Sequence, residues 1–188
     1  MTTKQRSVRL NLSFSIDLGT VEHFLDHWSE KYPDSYDPRK YDPYVGRPLS
    51  ESSRLLLFEW KNGSTLSKKK RDSVLKNYPL SFPKSKLEKR YLNPEASGGA
   101  IWNIFYMHCV DPDSWPIFDQ HTFRAMHFMK TGAVAELPAV KAKIVRLYQT
   151  EYMPFVRLLN SDSRKIDRAL FSFGKFLKIA GRYLLRNT

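Results

Sequence analysis

The amino-acid sequence predicts an all-α protein. Apolar residues recur at helical spacing through most of the chain, and helix start and stop residues bracket those runs, with Thr20, Ser67 and Asp119 before and Gly63 and Gly132 after them. One stretch departs from the pattern. Val8 to Ile16 alternates apolar and polar with period two, which argues for a short N-terminal strand or, with no partner strand in sight, an extended arm lying across helices. At 188 residues the chain has the length of one domain, 1–188, large enough to bury a substantial core. Within it two helical lobes can be drawn, roughly 1–60 with 135–188, and 61–134.

Asp17 or Thr20 caps a first helix that runs to Tyr32, with Val21, Phe24, Leu25 and Trp28 as its apolar stripe. His23 and His27 are spaced to share a metal, but no glutamate is placed to complete such a motif, and two exposed helix histidines is the simpler reading. Prolines at 33, 38, 43 and 48 then exclude a helix. The tyrosines between them either stack on a base or pack on their own loop. Ser52 to Trp60 reads as a helix, with a buried strand as the alternative, and stops at Asn62-Gly63.

Thr65 or Ser67 starts the next helix, whose first turn holds Lys68, Lys69, Lys70 and Arg71. Cations there oppose the helix macrodipole, a local conflict that points to phosphate contact. Lys84 to Leu92 forms a short helix with Leu87 and Tyr91 on one side. Pro138 opens a long helix carrying Val140, Ile144, Leu147 and Tyr148, which Pro154 kinks or restarts. From about Ser163 the last helix docks Ile166, Ala169, Leu170, Phe173, Phe176, Leu177, Ala180 and Leu184 on the core, while Arg164, Lys165, Arg168, Lys175, Lys178 and Arg182 form a solvated or DNA-facing back.

The stretch from Gly98 to Met126 organises the rest. Gly98-Gly99 opens an apolar run, Ala100 to Val110, with no clear polar face, so this helix is central and buried on several sides. Asp111-Pro112-Asp113 turns the chain, and Pro116 biases Trp115 toward an extended conformation. Asp119 then caps a second helix that Gly132 closes.

Charge is strong and uneven. The formal net charge is +12; residues 61–90 hold ten Lys/Arg against two acids and residues 139–188 eleven against three, so each segment carries +8 and the remainder −4. Two basic stretches flanking a near-neutral motif suit a polyanion gripped on both sides of a site. Solubility charge on helical surfaces is the alternative. Cys109 is the lone cysteine, so neither an internal disulfide nor a thiolate metal cluster can form; with no signal-peptide core and no apolar stretch of membrane-span length, the expectation is a cytoplasmic protein.

Two glycines at a helix start, an apolar helix, then Asp-x-His-x-x-Arg, here Asp119, His121 and Arg124, resemble the helix-hairpin-helix DNA glycosylases. Asp119 follows Gly99 by 20 positions, close to the spacing that family uses between hairpin and catalytic aspartate. The resemblance covers about Lys84 to Lys130. The hairpin itself departs from the family's Leu-Pro-Gly-x-Gly, reading Asn93-Pro94-Glu95-Ala96-Ser97-Gly98-Gly99. Ile101 and Trp102 stand where strand-cutting members carry a lysine that forms a Schiff base with the sugar.

The resemblance therefore implies a monofunctional, water-using DNA glycosylase that needs no cofactor or metal and works as a monomer on double-stranded DNA containing a damaged or modified base, in host repair or against modified phage DNA. In this reading Asp119 stabilises the oxocarbenium-like sugar and orients the water. Trp102, Tyr106 and Trp115, nearest to it in sequence, hold the flipped base or else belong to the core. Backbone N–H groups of Ser97, Gly98 and Gly99 meet a phosphate at a helix N-terminus, and Lys68, Lys69, Lys70, Arg71 and Lys84 add contacts to the DNA backbone. His121 and Arg124 brace helices. Taken alone, Asp119 is a plain N-cap, and a DNA-binding protein that keeps this scaffold without catalysis is the competing expectation, beside a helical interaction module with no DNA affinity.

Overall fold

A computed structural model describes residues 19–184, with side chains through residue 181. Among the described residues all regular structure is helical, and the period-two stretch from Val8 to Ile16 lies outside them. Local chemistry accounts for the helix ends. Thr20, not Asp17, caps α1 (Val21–Glu30), its hydroxyl accepting from the His23 N–H at 3.2 Å. Ser50 and Ser53 form a reciprocal capping box at the start of α2 (Glu51–Asn62), which buries Leu57, Phe58 and Trp60 as a helix rather than a strand. Ser67 starts α3 (Lys68–Asn77).

A 3-10 turn over Lys84–Lys86 leads into the short α4 (Leu87–Tyr91), and the loop after it delivers the chain to α5 (Ala100–Val110). As its composition demands, α5 is buried from Asn103 to Cys109. Asp119 caps α6 (Gln120–Thr131), and Gly132 in the left-handed region ends it. Beyond it lie α7 (Lys141–Leu147), a π turn over Tyr148–Tyr152, α8 (Met153–Leu158) and the long α9 (Ser163–Leu184).

Pro138 does not open a helix. Residues 133–140 stay non-helical because two α6 side chains hold them: Gln120 accepts the Leu137 N–H at 3.0 Å, and Arg124 forks onto Glu136 with contacts of 2.7 Å to each carboxylate oxygen. The helix starts at Lys141, and Val140 is left 54% exposed instead of joining the apolar stripe. At Pro154 the α-helix restarts. The wide π turn precedes it, and Pro154 sits in the first turn of α8, where its missing N–H has no intrahelical partner to lose.

One continuous cluster of buried side chains runs from Phe24 to Leu177 and draws on both of the lobes the sequence suggests. The last helix is its spine, packed against α1 and α6. It crosses the first turn of α6 at Gly174, where an added Cβ would overlap the His121 carbonyl. Fully buried Arg124 spans this crossing, donating to the Gly174 carbonyl at 3.0 Å and meeting His121 Nδ1 at 3.2 Å, while the His121 ring packs edge-on against Phe171. His121 and Arg124 thus tie α6 to α9.

The tyrosines of the proline-rich loop pack on the protein. Tyr41 is buried and its hydroxyl meets His108 Nε2 at 2.5 Å, while His108 Nδ1 meets the Trp115 carbonyl at 2.7 Å. Burial pushes the His108 pKa down to about 3, so the ring is neutral, donating from Nδ1 and accepting the Tyr41 proton at Nε2. No helix of the described residues is long and apolar enough to cross a membrane.

Candidate functional site

Asp119 is an N-cap and more. One carboxylate oxygen accepts the His121 and Thr122 N–H groups at 2.8 and 3.0 Å, and Thr122 Oγ1 answers by accepting the Asp119 N–H at 2.9 Å. The other oxygen accepts from Lys61 Nζ at 2.7 Å. Lys61 arrives from the last turn of α2, its side chain 9% exposed and its ammonium 5.8 Å above the Phe105 ring; the Asp119 side chain is 16% exposed. Burial pushes the Asp119 carboxyl pKa up, but the charge and hydrogen bond of Lys61 and the Thr122 N–H outweigh it, so the group stays below the usual aspartate value. The site keeps this carboxylate ionised where little water reaches it.

Around the pair lies an aromatic and charged wall that sequence reasoning missed. Arg164, expected on the solvated back of α9, instead lays its guanidinium 4.3 Å from the Tyr41 ring centre and 4.9 Å from that of Trp60. Its partner is Asp167, 6% exposed, with Arg164 Nη1 3.0 Å from a carboxylate oxygen. Tyr36 and Phe171 close the wall, with ring centres 5.1 Å apart. Asp119 and Asp167 both act on the Tyr36 hydroxyl, whose pKa burial has already raised.

One signal for Asp167 was available. It falls at i, i+3 and i, i+4 from Leu170 and Phe171, so it sits on an inward face of the last helix. Lys61 offered none, because a lysine in the last turn of a helix ordinarily complements the dipole.

The three proposed base-stacking residues differ in how far they are buried. Tyr106 is fully buried, its hydroxyl donating to the Pro79 carbonyl at 2.7 Å and its ring packed on Tyr78 and Tyr91, so no base can reach it without opening the core. Trp115 is half-buried and contributes its carbonyl to His108. Half-buried Trp102 packs on Phe58 and lies under the Lys70 ammonium at 5.9 Å.

Trp102 instead joins the proposed DNA-contacting groups. A cleft of about 280 Å³ is lined by Lys70, Ser73, Tyr78, Gly98, Gly99 and Trp102, uniting the basic turn of α3 with the glycines before α5. Gly98 has φ of +85°, and a Cβ there would fall 2.6 Å from Tyr78 Oη and 2.7 Å from Asn103 Oδ1, so the position requires glycine. Gly99 is the N-cap of α5 with no side chain bonded over it, and a Cβ there would meet open space.

The remaining basic residues differ in how they are held. Lys68 and Lys69 are exposed, while Lys70 donates to Asn62 Oδ1 at 2.8 Å. Arg71 leans 3.8 Å from Glu59, Ser97 Oγ lies 3.4 Å from Arg90 Nη2, and Lys84 is tied to Asp111 at 3.0 Å, at the far end of α5 from the glycines. Comparison of the chain with protein-family models, with curated proteins and with solved structures finds no match in any of the three.

Proposed function

We propose that the chain is a monofunctional DNA glycosylase that hydrolyses the bond between a damaged or modified base and its deoxyribose in double-stranded DNA. The observation that carries this reading is the state of Asp119. Capping α6 occupies one carboxylate oxygen; the second oxygen and a nearly buried lysine are surplus to capping, and together they hold a fixed negative charge in a dry site. As the C1′–N bond breaks, its electron pair leaves with the base and positive charge gathers on the sugar. A preorganised carboxylate stabilises that charge and orients the water whose oxygen bonds to C1′; that water gives up one proton as the bond forms and the departing base takes one up, leaving free base and an abasic sugar. Ile101 and Trp102 stand where strand-cutting relatives carry an attacking lysine, and water is the nucleophile of this reading. The cleft between Lys70 and Gly99 suits a phosphate, with the Lys70 ammonium on one side and an uncapped helix start on the other.

A second reading has its own support. Both Asp119 oxygens have partners within the protein, as expected of a DNA-binding protein that keeps the scaffold and lacks catalysis. Incubation with duplexes carrying single lesions or phage-type modified cytosines, scored by mass spectrometry for free base, separates the two. Release that disappears in Asp119→Asn supports the glycosylase, and salt-sensitive binding without release from any duplex supports the binding protein.

A further inference from the structure

Asp167 is a buried carboxylate, paired with Arg164, to which the hydrolysis proposed at Asp119 gives no part. Neighbouring residues locate it. Phe171, one turn further along α9, touches His121 and Tyr36 with ring centres 4.8 and 5.1 Å away, and Gly174 abuts the His121 backbone. Asp167 therefore lies on the face of α9 turned toward the α6 cap. Arg164, its ion-pair partner, is clamped over Trp60, the residue before Lys61. Lys61 and Asp119 both act on Asp167 electrostatically, from α2 and from the start of α6. Two ion pairs from three helices, Lys61–Asp119 and Arg164–Asp167, thus form one electrostatically coupled cluster of two carboxylates and two cations.

We propose that Asp167 is a positioning residue for the Asp119 site, a second negative charge that shares Lys61 with Asp119 and deepens the field in which a cationic sugar is held. The proposal rests on the reading that Asp119 faces such a cation. With both carboxylates ionised the cluster is neutral, and a developing sugar cation meets a full complement of negative charge. With Asp167 protonated the cluster carries one net positive charge, and the sugar cation is repelled.

Burial drives the Asp167 pKa up to about 6, although Arg164 and Lys61 pull it down. The phenols, Asp119 and His108 around it keep their charge across pH 5–8. Burial raises the phenols of Tyr32, Tyr36, Tyr41 and Tyr152, Asp119 lies below the ordinary aspartate value, and His121 and His108 are both pushed down. Asp167 is thus the carboxylate of the cluster whose charge changes in that window.

The test uses two 20-nucleotide-scale duplexes, one with a pyrrolidine abasic analogue, which is cationic, and one with the neutral tetrahydrofuran analogue. Neither requires knowledge of the base. Wild type binds the cationic duplex at least about tenfold more tightly at pH 7.5, and the preference decays toward pH 5 with a midpoint near 6. Asp167→Asn lowers the preference to within about threefold and makes it flat with pH, Asp167→Glu restores the pH dependence, and Asp119→Asn loses the preference outright. An unchanged preference and pH curve in Asp167→Asn overturns the role of Asp167 while leaving Asp119 in place. Equal binding of the two duplexes by wild type overturns the reading of Asp119 and this proposal with it. Should Asp167→Asn not fold, carboxyl carbon-13 titration of the wild type decides: an aspartate titrating near pH 6 whose midpoint falls when the pyrrolidine duplex binds is expected, and none doing so overturns the proposal.

Discussion

Asp119→Asn separates the charge of this residue from its capping role. An asparagine oxygen caps a helix about as well as an aspartate, so the bonds from the His121 and Thr122 N–H groups survive. What is lost is the 2.7 Å pair with Lys61, whose ammonium is left nearly buried without its counter-charge. Removing one partner of a buried pair costs about 3–5 kcal/mol, and the residual exposure of 9% and 16% places this pair at about 3 kcal/mol.

Changing Lys61→Met alone should cost less, about 1–2 kcal/mol, because Asp119 keeps two backbone donors. The double variant should return to within about 1 kcal/mol of wild type, since methionine packs well on Phe105 and no charge is stranded. Urea denaturation followed by circular dichroism measures all three. The pH dependence adds a sign. Because the folded-state pKa of Asp119 is depressed, its contribution is present above the unfolded value of about 4 and is lost as pH falls through the folded one, so wild type and Asp119→Asn should converge in acid. In the catalytic reading, base release by Asp119→Asn falls at least about 100-fold, with DNA binding intact or tighter. Single-variant costs that simply add in the double variant, or a gap that persists in acid, would refute the ion-pair account. Near-wild-type turnover would refute the mechanism.

Gly174→Ala should lower stability by about 3 kcal/mol or more, because a Cβ there overlaps the His121 carbonyl, whereas Gly181→Ala, whose Cβ would sit 3.8 Å from Val134, should be neutral or gain up to about 1 kcal/mol; thermal melts compare them. Gly99→Ala should leave the melt unchanged and weaken DNA binding, while Gly98→Ala should destabilise by about 2–3 kcal/mol through its φ of +85° and the Tyr78–Asn103 contact. Replacing Lys68, Lys69 and Lys70 by alanine should weaken binding to all DNA sequences alike and lower the salt slope by about one unit per lost contact, read from titrations at several salt concentrations; an unchanged slope moves the electrostatic grip to the C-terminal helix. Borohydride should trap no covalent protein–DNA adduct, and an adduct mapped to Lys61 would make this a lyase that takes its amine from α2 rather than from the position of Ile101 or Trp102.

Local rules account for much of the fold. Caps at Thr20, Ser67 and Asp119, the stop at Gly132 and the all-round apolar α5 are written in a few adjacent residues each, and the helices begin and end there. Where a helix was expected from Pro138, the deciding groups were Arg124 and Gln120, more than ten positions away on α6. The site divides the same way. Asp119 was legible because a capping carboxylate leaves a local pattern. Tyr106 reads in the sequence as a base-stacking residue, but nearness in sequence says little about which way a side chain faces on a helix buried all round. Lys61, Arg164 and Asp167 come from α2 and α9, and only tertiary packing joins them to Asp119.

That packing gives the two carboxylates opposite linkage to pH. Asp119, held below its ordinary value, stabilises the fold as pH rises past about 4. Asp167, raised to about 6, does the reverse: the stability it contributes is complete below about pH 4 and is lost as pH rises through about 6, a change on the order of 3 kcal/mol for a shift of about two units. Asp167 also serves as the counter-charge of Arg164, so a neutral residue of the same shape at position 167 would escape that loss but leave the Arg164 guanidinium without its partner. Groups whose environments push their pKa values apart are a signature of sites that move charge. The separation at Asp119 and Asp167 distinguishes an acid that is always ionised from one that switches near neutrality, within a single cluster at the crossing of α6 and α9. A helix cap accounts for the first carboxylate and the Arg164 pair for the second; the proposed site adds a use for both charges, and the Asp167→Asn preference for a cationic duplex is what separates the two accounts.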